Sequence, residues 1–410
     1  MNDMTLIELS RAAPRPNPPG MLARRAVLAR LAGLSGGLLR IREDAGTLAF
    51  GDGAGPEATL TVLDPAFYAE TAWGGSVGAA ESYMLGHWRA DDLTALMRLM
   101  LRNHDVLDGM ERGLARLSAP LRQLAHWLHR NTRAGSRRNI SAHYDLGNDF
   151  FRLMLDETMM YSCALFERPE MTLAEASTAK LERICRALAL GPADHVLEIG
   201  TGWGGFALHA ALRHGCRITT TTISPSQFEV ARERIRAAGL EDRVTLLLED
   251  YRDLGGTYDK AVSIEMIEAI GHRQYGTFFR QCAERLVPGG RMLLQTITIA
   301  DRHYARTRDD VDFIKRYIFP GSCIPSVSAL AQAMADASDL RMVALADIGP
   351  HYATTLARWR ANILGHLAEV RAMGCPESFI RMWEFYLCYC EAGFAERQLG
   401  DVQMLLAREG

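Results

Sequence analysis

The sequence lacks any segment that approaches the ~20 consecutive apolar residues of a membrane-spanning helix. Its first twenty residues contain Asp3, Glu8, Arg11 and four prolines without an apolar core, so we expect no signal peptide. Cysteine forms no framework: the eight cysteines are dispersed, and Cys388 and Cys390 have no second pair at zinc-ligand spacing nearby. These absences predict reduced thiols, no disulfide scaffold and no structural zinc, which favours the cytosol.

An excess of charge of one sign is also missing. The chain carries 46 Lys and Arg against 49 Asp and Glu, and its pI is about 6.5, so no global basic field attracts nucleic acid. Only Lys180, Lys260 and Lys315 are lysines, and arginine supplies the remaining positive charge. With 410 residues, of which 48% are apolar, the chain is long enough for two domains with sizeable cores.

The order of patterns along the chain predicts four parts. Residues 1–20 are expected to form a loose tail, and residues 21–114 combine helices with short strands such as "LLRIRE" and "ATLTVLD", which predicts a small α+β domain. Residues 115–140 are predicted to form a basic linker helix. Residues 141–410 alternate strands and helices from about Asp194 onward, which predicts a parallel sheet with helices on both faces.

The basic segment "LRQLAHWLHRNTRAGSRRN" interleaves apolar side chains with arginines. A basic amphipathic helix of this kind can lie on an anionic membrane surface. A linker helix whose charged face is only solvated is the alternative, and it is the commoner situation for a run of charges.

A glycine-rich loop follows a predicted strand in "VLEIGTGWGG". Gly200, Gly202 and Gly204 allow the backbone to approach a ligand closely, and the N-terminus of the following helix favours polar or anionic groups. Such a loop alone could equally bind NAD. Glu198, however, gives the E-x-G-x-G form that holds the amino-acid end of S-adenosylmethionine, and "RITTTTIS" lacks the acid that a nicotinamide ribose requires.

Seven stretches of the chain resemble the cyclopropane fatty acid synthases, including the mycolic acid cyclopropane synthases and methyltransferases. In order, they are "AHYDLGNDFFRLMLDETMMYSCALF", "VLEIGTGWGGFA", "TTISPSQ", "LEDYRDL", "SIEMIEAIG", "DFIKRYIFPGSCIPS" and "GPHYATTLARW". The resemblance implies an α/β fold, with a Rossmann-like class I methyltransferase sheet and helical insertions. The N-terminal part resembles, less closely, the lipid-associated domain of members that act on phospholipids. The C-terminal "DVQMLLARE" is expected to be an edge strand after two long helices, 354–373 and 376–398.

The resemblance also implies the residues of the site. Contacts to S-adenosylmethionine would come from Tyr161, Ser162, Glu198, Gly200, Gly202 and Gly204 at the methionine end, Thr222, Ile223 and Gln227 near the ribose, and Asp250 and Tyr251 at the adenine. A bicarbonate ion would bind among Cys163, Glu268, Gln295, Ile297 and Tyr352, while Tyr144, Phe150 and Tyr317 would face the substrate. The family usually has His where this chain has Gln295, and Gln donates a hydrogen bond but cannot be protonated.

Three of these assignments have a simpler interpretation. By residue type alone, Cys163 is more often a core residue than a functional one. Glu268 could simply be an acid at the start of a helix, and Tyr352 could be a buried tyrosine whose hydroxyl is hydrogen-bonded. Only their joint appearance in the family motifs favours the functional interpretation. We expect Cys163 to shape the anion pocket, through its backbone N–H, and not to act as a nucleophile.

The implied chemistry is attack of an alkene on the methyl group of a sulfonium, followed by loss of a proton to bicarbonate so that a ring closes. The expected function is methylene transfer to an unsaturated acyl chain of a membrane phospholipid, forming a cyclopropane. The expected location is the inner face of the membrane, with peripheral association. Two alternatives stay open, namely the same attack ending in a methyl- or methylene-branched chain, and a lipid-binding protein without turnover. The sequence also leaves a homodimer open.

Overall fold

The computed structural model describes residues 18–107 and 147–410, so the basic segment 115–140 and Tyr144 lie outside the described residues. The small N-terminal part packs helices against a sheet of strand order β2-β1-β3-β4. Its elements are α1 (Pro18–Leu31), β1 (Leu38–Glu43), β2 (Gly46–Gly51), β3 (Glu57–Val62), α2 (Ala66–Leu85), β4 (Trp88–Ala90) and α3 (Leu93–Arg102). Helix α2 ends at Leu85 because Gly86 adopts a left-handed conformation with φ 82°, and β4 begins at Trp88.

The second part contains a seven-stranded sheet of order β10-β11-β9-β8-β5-β6-β7. Its strands are β5 (His195–Ile199), β6 (Arg217–Thr221), β7 (Val244–Leu247), β8 (Tyr258–Ile264), β9 (Leu286–Ile299), β10 (Leu340–Asp347) and β11 (Leu399–Arg408). Strands β5 to β9 are parallel, whereas β11 pairs antiparallel with both β9 and β10. The predicted α/β fold is confirmed.

Helices cover the sheet and extend it with insertions. They are α4 (Asn148–Met154), α5 (Leu173–Leu188), α6 (Gly205–His214), α7 (Pro225–Ala237), α8 (Ile267–Ile270), α9 (Tyr275–Arg285), α10 (Asp301–Thr307), α11 (Val327–Ala337), α12 (Pro350–Gly365), α13 (Leu367–Ala372) and α14 (Glu377–Ala395). A π-helical turn, Ile314–Ile318, lies in the insertion after β9. Over the described ranges, we find no helix with the length and apolarity to cross a membrane.

Two predictions about the C-terminal region are wrong. The last strand, β11, is internal, because β10 pairs with its outer side and forms the edge of the sheet. The sequence patterns above do not identify β10, although residues 342–346 form an apolar run. Most of its side chains are exposed or half-buried, as expected of an edge strand. The predicted helix 354–373 is two helices, which separate at His366, where φ is −116°.

Helix α14 joins the two parts of the described chain. The hydroxyl of Tyr83 donates to Glu384 at 2.7 Å, and Arg98 and Arg102 both bind Glu396 at 2.7 Å. Buried apolar side chains from both parts form one continuous cluster. The small domain therefore packs directly on helix α14, which also packs against the candidate active site.

Candidate active site

The carboxyl ends of the central parallel strands converge on one cavity, which is where ligands bind in open α/β sheets. The glycine loop lies between β5 and α6, and Gly200, Gly202 and Gly204 have φ angles of 103°, 52° and 86°. A Cβ added at Gly200 would lie 3.3 Å from the side chain of Met266. Glycine is therefore required here both by conformation and by space.

Polar groups predicted for the cofactor line the same end of the cavity. Glu198 is buried and accepts a 2.6 Å hydrogen bond from the hydroxyl of Thr220, and burial raises the pKa of its carboxyl to about 8. The hydroxyl of Thr222 donates to the side-chain oxygen of Gln227 at 3.0 Å. Ile223 also lines this cavity, so the structure brings the predicted methionine and ribose contacts together.

The predicted adenine contacts follow β7. Both carboxylate oxygens of Asp250 accept hydrogen bonds from Arg252, at 2.8 and 2.6 Å. The guanidinium of Arg252 lies 5.6 Å from the ring centre of Tyr251. The hydroxyl of Tyr251 is buried without a hydrogen-bond partner among the described residues. Asp250 is thus held by the chain itself, whereas Tyr251 offers an unused polar group to a ligand.

The predicted anion pocket contains a carboxylate that the sequence analysis did not assign. The backbone N–H of Cys163 and the amide of Gln295 both donate to Oε1 of Glu265 at 2.8 Å. The hydroxyl of Tyr352 donates to Oε2 of Glu265 at 2.6 Å. Three of the five residues predicted to bind bicarbonate therefore bind Glu265.

Glu268, the acid that the sequence analysis did assign, has a different setting. Its Oε1 accepts from the N–H of Ile297 at 2.5 Å and from the hydroxyl of Thr296 at 2.8 Å. Its Oε2 is buried without a partner among the described residues. Burial and the nearby charge of Glu265 raise the pKa of Glu268 to about 8, so it holds a proton at neutral pH.

Gln295 is the central residue of a hydrogen-bond network that connects β9 and β11. Its side-chain nitrogen donates to Glu265 and, at 3.2 Å, to Asp401. Its side-chain oxygen accepts from Gln403 at 3.1 Å, and Gln403 in turn accepts from Arg183 at 2.9 Å. An amide supplies two donors and an acceptor at once, which neutral imidazole cannot do. The network thus accounts for Gln in place of His.

Two further buried ionisable residues, Asp401 and Lys180, affect the charge of the anion pocket. Burial and the charge of Glu265 raise the pKa of Asp401 well above its usual range, and a hydrogen bond to Glu265 adds to this effect. Lys180 is fully buried and donates to the hydroxyl of Ser162 at 2.8 Å, while burial lowers its pKa. Burial also raises the pKa of the Cys163 thiol well above its usual range, so the thiol stays protonated. This state agrees with the expectation that Cys163 is no nucleophile.

The cavity continues from the glycine loop into the interior of the small domain, with a volume of about 910 Å³. Apolar side chains of the small domain form its far wall, namely Val27, Leu31, Leu39, Ile41, Leu60, Phe67, Trp88, Leu96, Met97 and Met100. At its centre, the hydroxyl of Tyr161 lies 2.9 Å from that of Tyr386, and the ring of Tyr352 stacks on Phe394 at 4.4 Å. The cavity is polar at one end, aromatic at the centre and apolar at the other end.

Two predicted substrate contacts lie away from this cavity. Phe150 is 1% exposed and packs in the core against Phe151, Phe379 and Trp383. Tyr317 donates to Glu81 of the small domain, so its hydroxyl bridges the two parts of the chain. Neither side chain lines the cavity, and both are better described as packing residues.

Sequence analysis missed three charged residues of the site, Glu265, Asp401 and Lys180. Glu265 could have been identified from the sequence, because the predicted strand ends in "SIEMIE", which contains two acids three residues apart. Lys180 is one of only three lysines in the chain. Asp401 carried no signal, since its place depends on the pairing of β11 with β9.

Comparison with known proteins agrees with this geometry. A profile of the family described as mycolic acid cyclopropane synthetase matches residues 131–404. The chain is 40% identical over 354 residues to the tuberculostearic acid methyltransferase UfaA1 of Mycobacterium tuberculosis, which covers 82% of this chain and 80% of that protein. It is 36% identical over 360 residues to the cyclopropane-fatty-acyl-phospholipid synthase of Escherichia coli strain K12, covering 87% and 89% respectively.

A solved structure supports the same assignment. The mycolic acid cyclopropane synthase CmaA1, complexed with SAH and CTAB, aligns with a TM-score of 0.62 and 31% identity over 66% of this chain and 98% of that one. The predicted family is confirmed: the chain belongs to the mycolic acid cyclopropane synthetase family.

Proposed function

We propose that this protein transfers the methyl group of S-adenosylmethionine to the double bond of an unsaturated fatty acyl chain carried by a phospholipid. The observation that carries the proposal is the single cavity that joins the glycine loop to the apolar interior of the small domain. Relatives from Mycobacterium tuberculosis and Escherichia coli are named for modification of fatty acyl chains, which supports the same substrate class.

The residues at the polar end of the cavity fit S-adenosylmethionine. Gly200 leaves space where a Cβ would meet Met266, and the buried hydroxyl of Tyr251 has no partner among the described residues. Glu198 lies on the strand before the loop, where its acceptor can face an amino group. When bound, the cofactor supplies an electrophilic methyl group. The CmaA1 structure contains SAH, which supports the same ligand class.

The centre of the cavity suits a reaction that develops positive charge on a hydrocarbon. Tyr161 packs against Trp359 at 5.1 Å and Phe319 at 6.4 Å, and Tyr352 stacks on Phe394. Aromatic faces stabilise a desolvated cation by ~1–2 kcal/mol each. Their packing also excludes water, which would quench a carbocation.

Two products are consistent with methyl transfer followed by loss of a proton. Ring closure gives a cyclopropane, the outcome expected from the family resemblance. A methylene branch is the second candidate, because Gln295 replaces the family's usual His and the 40% identical relative is named a tuberculostearic acid methyltransferase. Both products require that a base removes a proton from the new methyl group.

The proposal includes delivery of the substrate from a bilayer surface at the cytoplasmic side. Large apolar side chains of the small domain are exposed, among them Met21, Leu22 and Trp73, of which Leu22 is 70% exposed. A membrane is a partner that covers such side chains. The eight free cysteines are consistent with a reducing compartment.

Mass spectrometry with a labelled methyl donor tests the proposed function. Vesicles of unsaturated phosphatidylglycerol are incubated with the protein and S-adenosylmethionine that carries a trideuterated methyl group. We expect acyl chains that gain the methyl carbon and retain two of its three deuteriums, because the base removes the third. Ozonolysis then distinguishes the products, since it cleaves a methylene branch to a ketone and leaves a ring intact.

Calorimetry with S-adenosylhomocysteine accompanies this assay. Cofactor binding without any labelled lipid would contradict the proposed reaction and favour a lipid-binding protein without turnover. Absence of cofactor binding would contradict the assignment of the glycine loop.

A further inference from the structure

The bicarbonate pocket implied by the family resemblance already has an anionic occupant from the chain. Its donors are the N–H of Cys163, the amide of Gln295 and the hydroxyl of Tyr352, and all three donate to Glu265 at 2.6–2.8 Å. The remaining predicted donor, the N–H of Ile297, is bonded to Glu268. These residues therefore do not fit a separate bicarbonate ion.

The backbone at Glu265 is adapted to bring its carboxylate into this position. Glu265 follows β8 directly and has a φ of +49°, a left-handed conformation that is unfavourable for a non-glycine residue. Its own N–H is bonded to the backbone oxygen of Gln295 at 2.8 Å, which holds the turn against β9. A glycine would adopt this turn without strain, so the side chain, not the turn, explains the residue type.

The charge balance of the pocket also opposes a second anion. The buried ammonium group of Lys180 interacts with the charges of Glu265 and Asp401, and Glu268 interacts with Asp401. Burial raises the pKa of Glu268 to about 8 and that of Asp401 well above its usual range, which opposes further negative charge in the pocket. Glu265 accepts three hydrogen bonds, and its carboxylate interacts with the ammonium group of Lys180. A bicarbonate ion at the same donors would meet the like charge of the Glu265 carboxylate.

We propose that the carboxylate of Glu265 replaces bicarbonate as the base that removes a proton from the transferred methyl group. This inference rests on the proposed function. The proton moves from the methyl carbon to a carboxylate oxygen of Glu265. The released C–H electron pair closes the ring onto the neighbouring cationic carbon of the chain. Alternatively, a 1,2-hydride shift first moves the positive charge to the methylated carbon, and the electron pair then forms the methylene double bond. Glu265 becomes neutral and returns the proton to solvent after the product leaves.

The neighbours of Glu265 act as positioning residues in this scheme. Cys163 and Gln295 fix one carboxylate oxygen, and Tyr352 fixes the other. Glu265 lines the same cavity as Gly200 and Gly202 of the cofactor loop. A base that is already held in place needs no binding step and no dissolved carbon dioxide.

Substitution at Glu265 tests the proposal through both turnover and anion binding. Glu265→Gln keeps the shape of the side chain but cannot accept the proton, and we expect turnover to fall roughly 10²–10⁴-fold. Glu265→Gly opens a pocket that keeps its donors, so we expect added formate or bicarbonate to restore part of the lost turnover. Wild-type turnover should be the same in carbon dioxide-free buffer and with added bicarbonate.

A binding measurement separates this inference from the proposed function, since it needs no turnover. With S-adenosylhomocysteine present, ¹³C-bicarbonate should show saturable binding to Glu265→Gly by NMR and none to the wild type. Ala189→Gly controls for an added glycine at a left-handed position, since Ala189 has a φ of 53°. Bicarbonate binding by the wild type, or full activity of Glu265→Gln, would overturn the proposal. Failure of the wild type to methylate any lipid would instead contradict the proposed function.

Discussion

Two glutamates three residues apart, Glu265 and Glu268, have opposite environments because a strained turn separates them. Glu265 accepts hydrogen bonds from three donors that converge on it. Glu268 accepts two through one oxygen, while its second oxygen is buried without a partner among the described residues. Burial and the charge of Glu265 raise the pKa of Glu268 to about 8, which favours its protonated form. The family motifs imply that bicarbonate is the base and that Glu268 helps to bind it, whereas the hydrogen bonds favour Glu265 as the base.

The protonation of Glu268 predicts a specific dependence of stability on pH. Its pKa is raised from 4.5 to about 8 in the folded chain, so between these values the folded state binds more protons than the unfolded state. The free energy of unfolding therefore falls as pH rises from about 5 to 8. Glu268→Gln removes this contribution. Between pH 5 and pH 8, we expect the free energy of unfolding of the wild type to fall by on the order of 2–4 kcal/mol more than that of the variant. Urea unfolding at pH 5 and pH 8 measures the difference.

The matched control is Glu241→Gln, because Glu241 is an exposed carboxylate on the surface. Its unfolding free energy should follow that of the wild type at both pH values. Glu268→Gln should also retain turnover within about tenfold at pH 7, since glutamine resembles a protonated glutamate. Parallel stability curves for Glu268→Gln and the wild type would show that Glu268 is ionised in the folded chain.

At the scale of elements, the pairing of β9 with β11 assembles the site from distant sequence. This register sets Gln403 opposite Gln295 and Asp401 opposite Ile297. A slip of one residue would turn these side chains to the other face of the sheet. Glycine spacing and alternating patterns predict β5, β6 and β8, and hence the cofactor loop. These patterns cannot predict that Asp401 belongs to the site, because its neighbours depend on the register between β9 and β11, which no local pattern encodes.

The glycine loop gives a prediction at this scale. Gly202 has a φ of 52° and lines the cavity between β5 and α6, so Gly202→Val combines backbone strain with a side chain that enters the cofactor space. We expect affinity for S-adenosylhomocysteine to fall at least about 100-fold, or ~3 kcal/mol, by calorimetry. Gly239→Val is the control, since Gly239 also has a positive φ, of 66°, and open space around it, but does not line the cavity. Equal affinity losses in the two variants would contradict the loop assignment.

At the scale of the whole molecule, the small domain completes the cavity of the catalytic domain. The sequence predicts the two domains and their classes but not their shared interior. The reason is that residues such as Leu39 and Met97 look like ordinary core residues in their own segments. In the structure they are core residues that also border an unfilled volume continuous with the glycine loop. If the acyl chain binds in this cavity, as proposed, the small domain limits how far the chain extends from the reacting carbon.

This shared cavity predicts that the small domain limits acyl chain length. Met97 lies on α3 and lines the apolar end, so Met97→Trp should fill part of the space without touching the cofactor loop. We expect the preferred acyl chain to shorten by several carbons in a competition among phospholipids, because each buried methylene contributes about 0.8 kcal/mol of binding that the longer chain would lose. Affinity for S-adenosylhomocysteine should stay within a factor of about two.

Met84→Trp is the matched control, because Met84 packs against the same core from α2 but does not line the cavity. Both variants overpack the small domain and should lower the melting temperature to a similar extent, by a few degrees. Only Met97→Trp should change the ratio of short-chain to long-chain turnover. An unchanged ratio in Met97→Trp would mean that the acyl chain leaves the catalytic domain by another path, and the small domain would then be only a packing partner of α14.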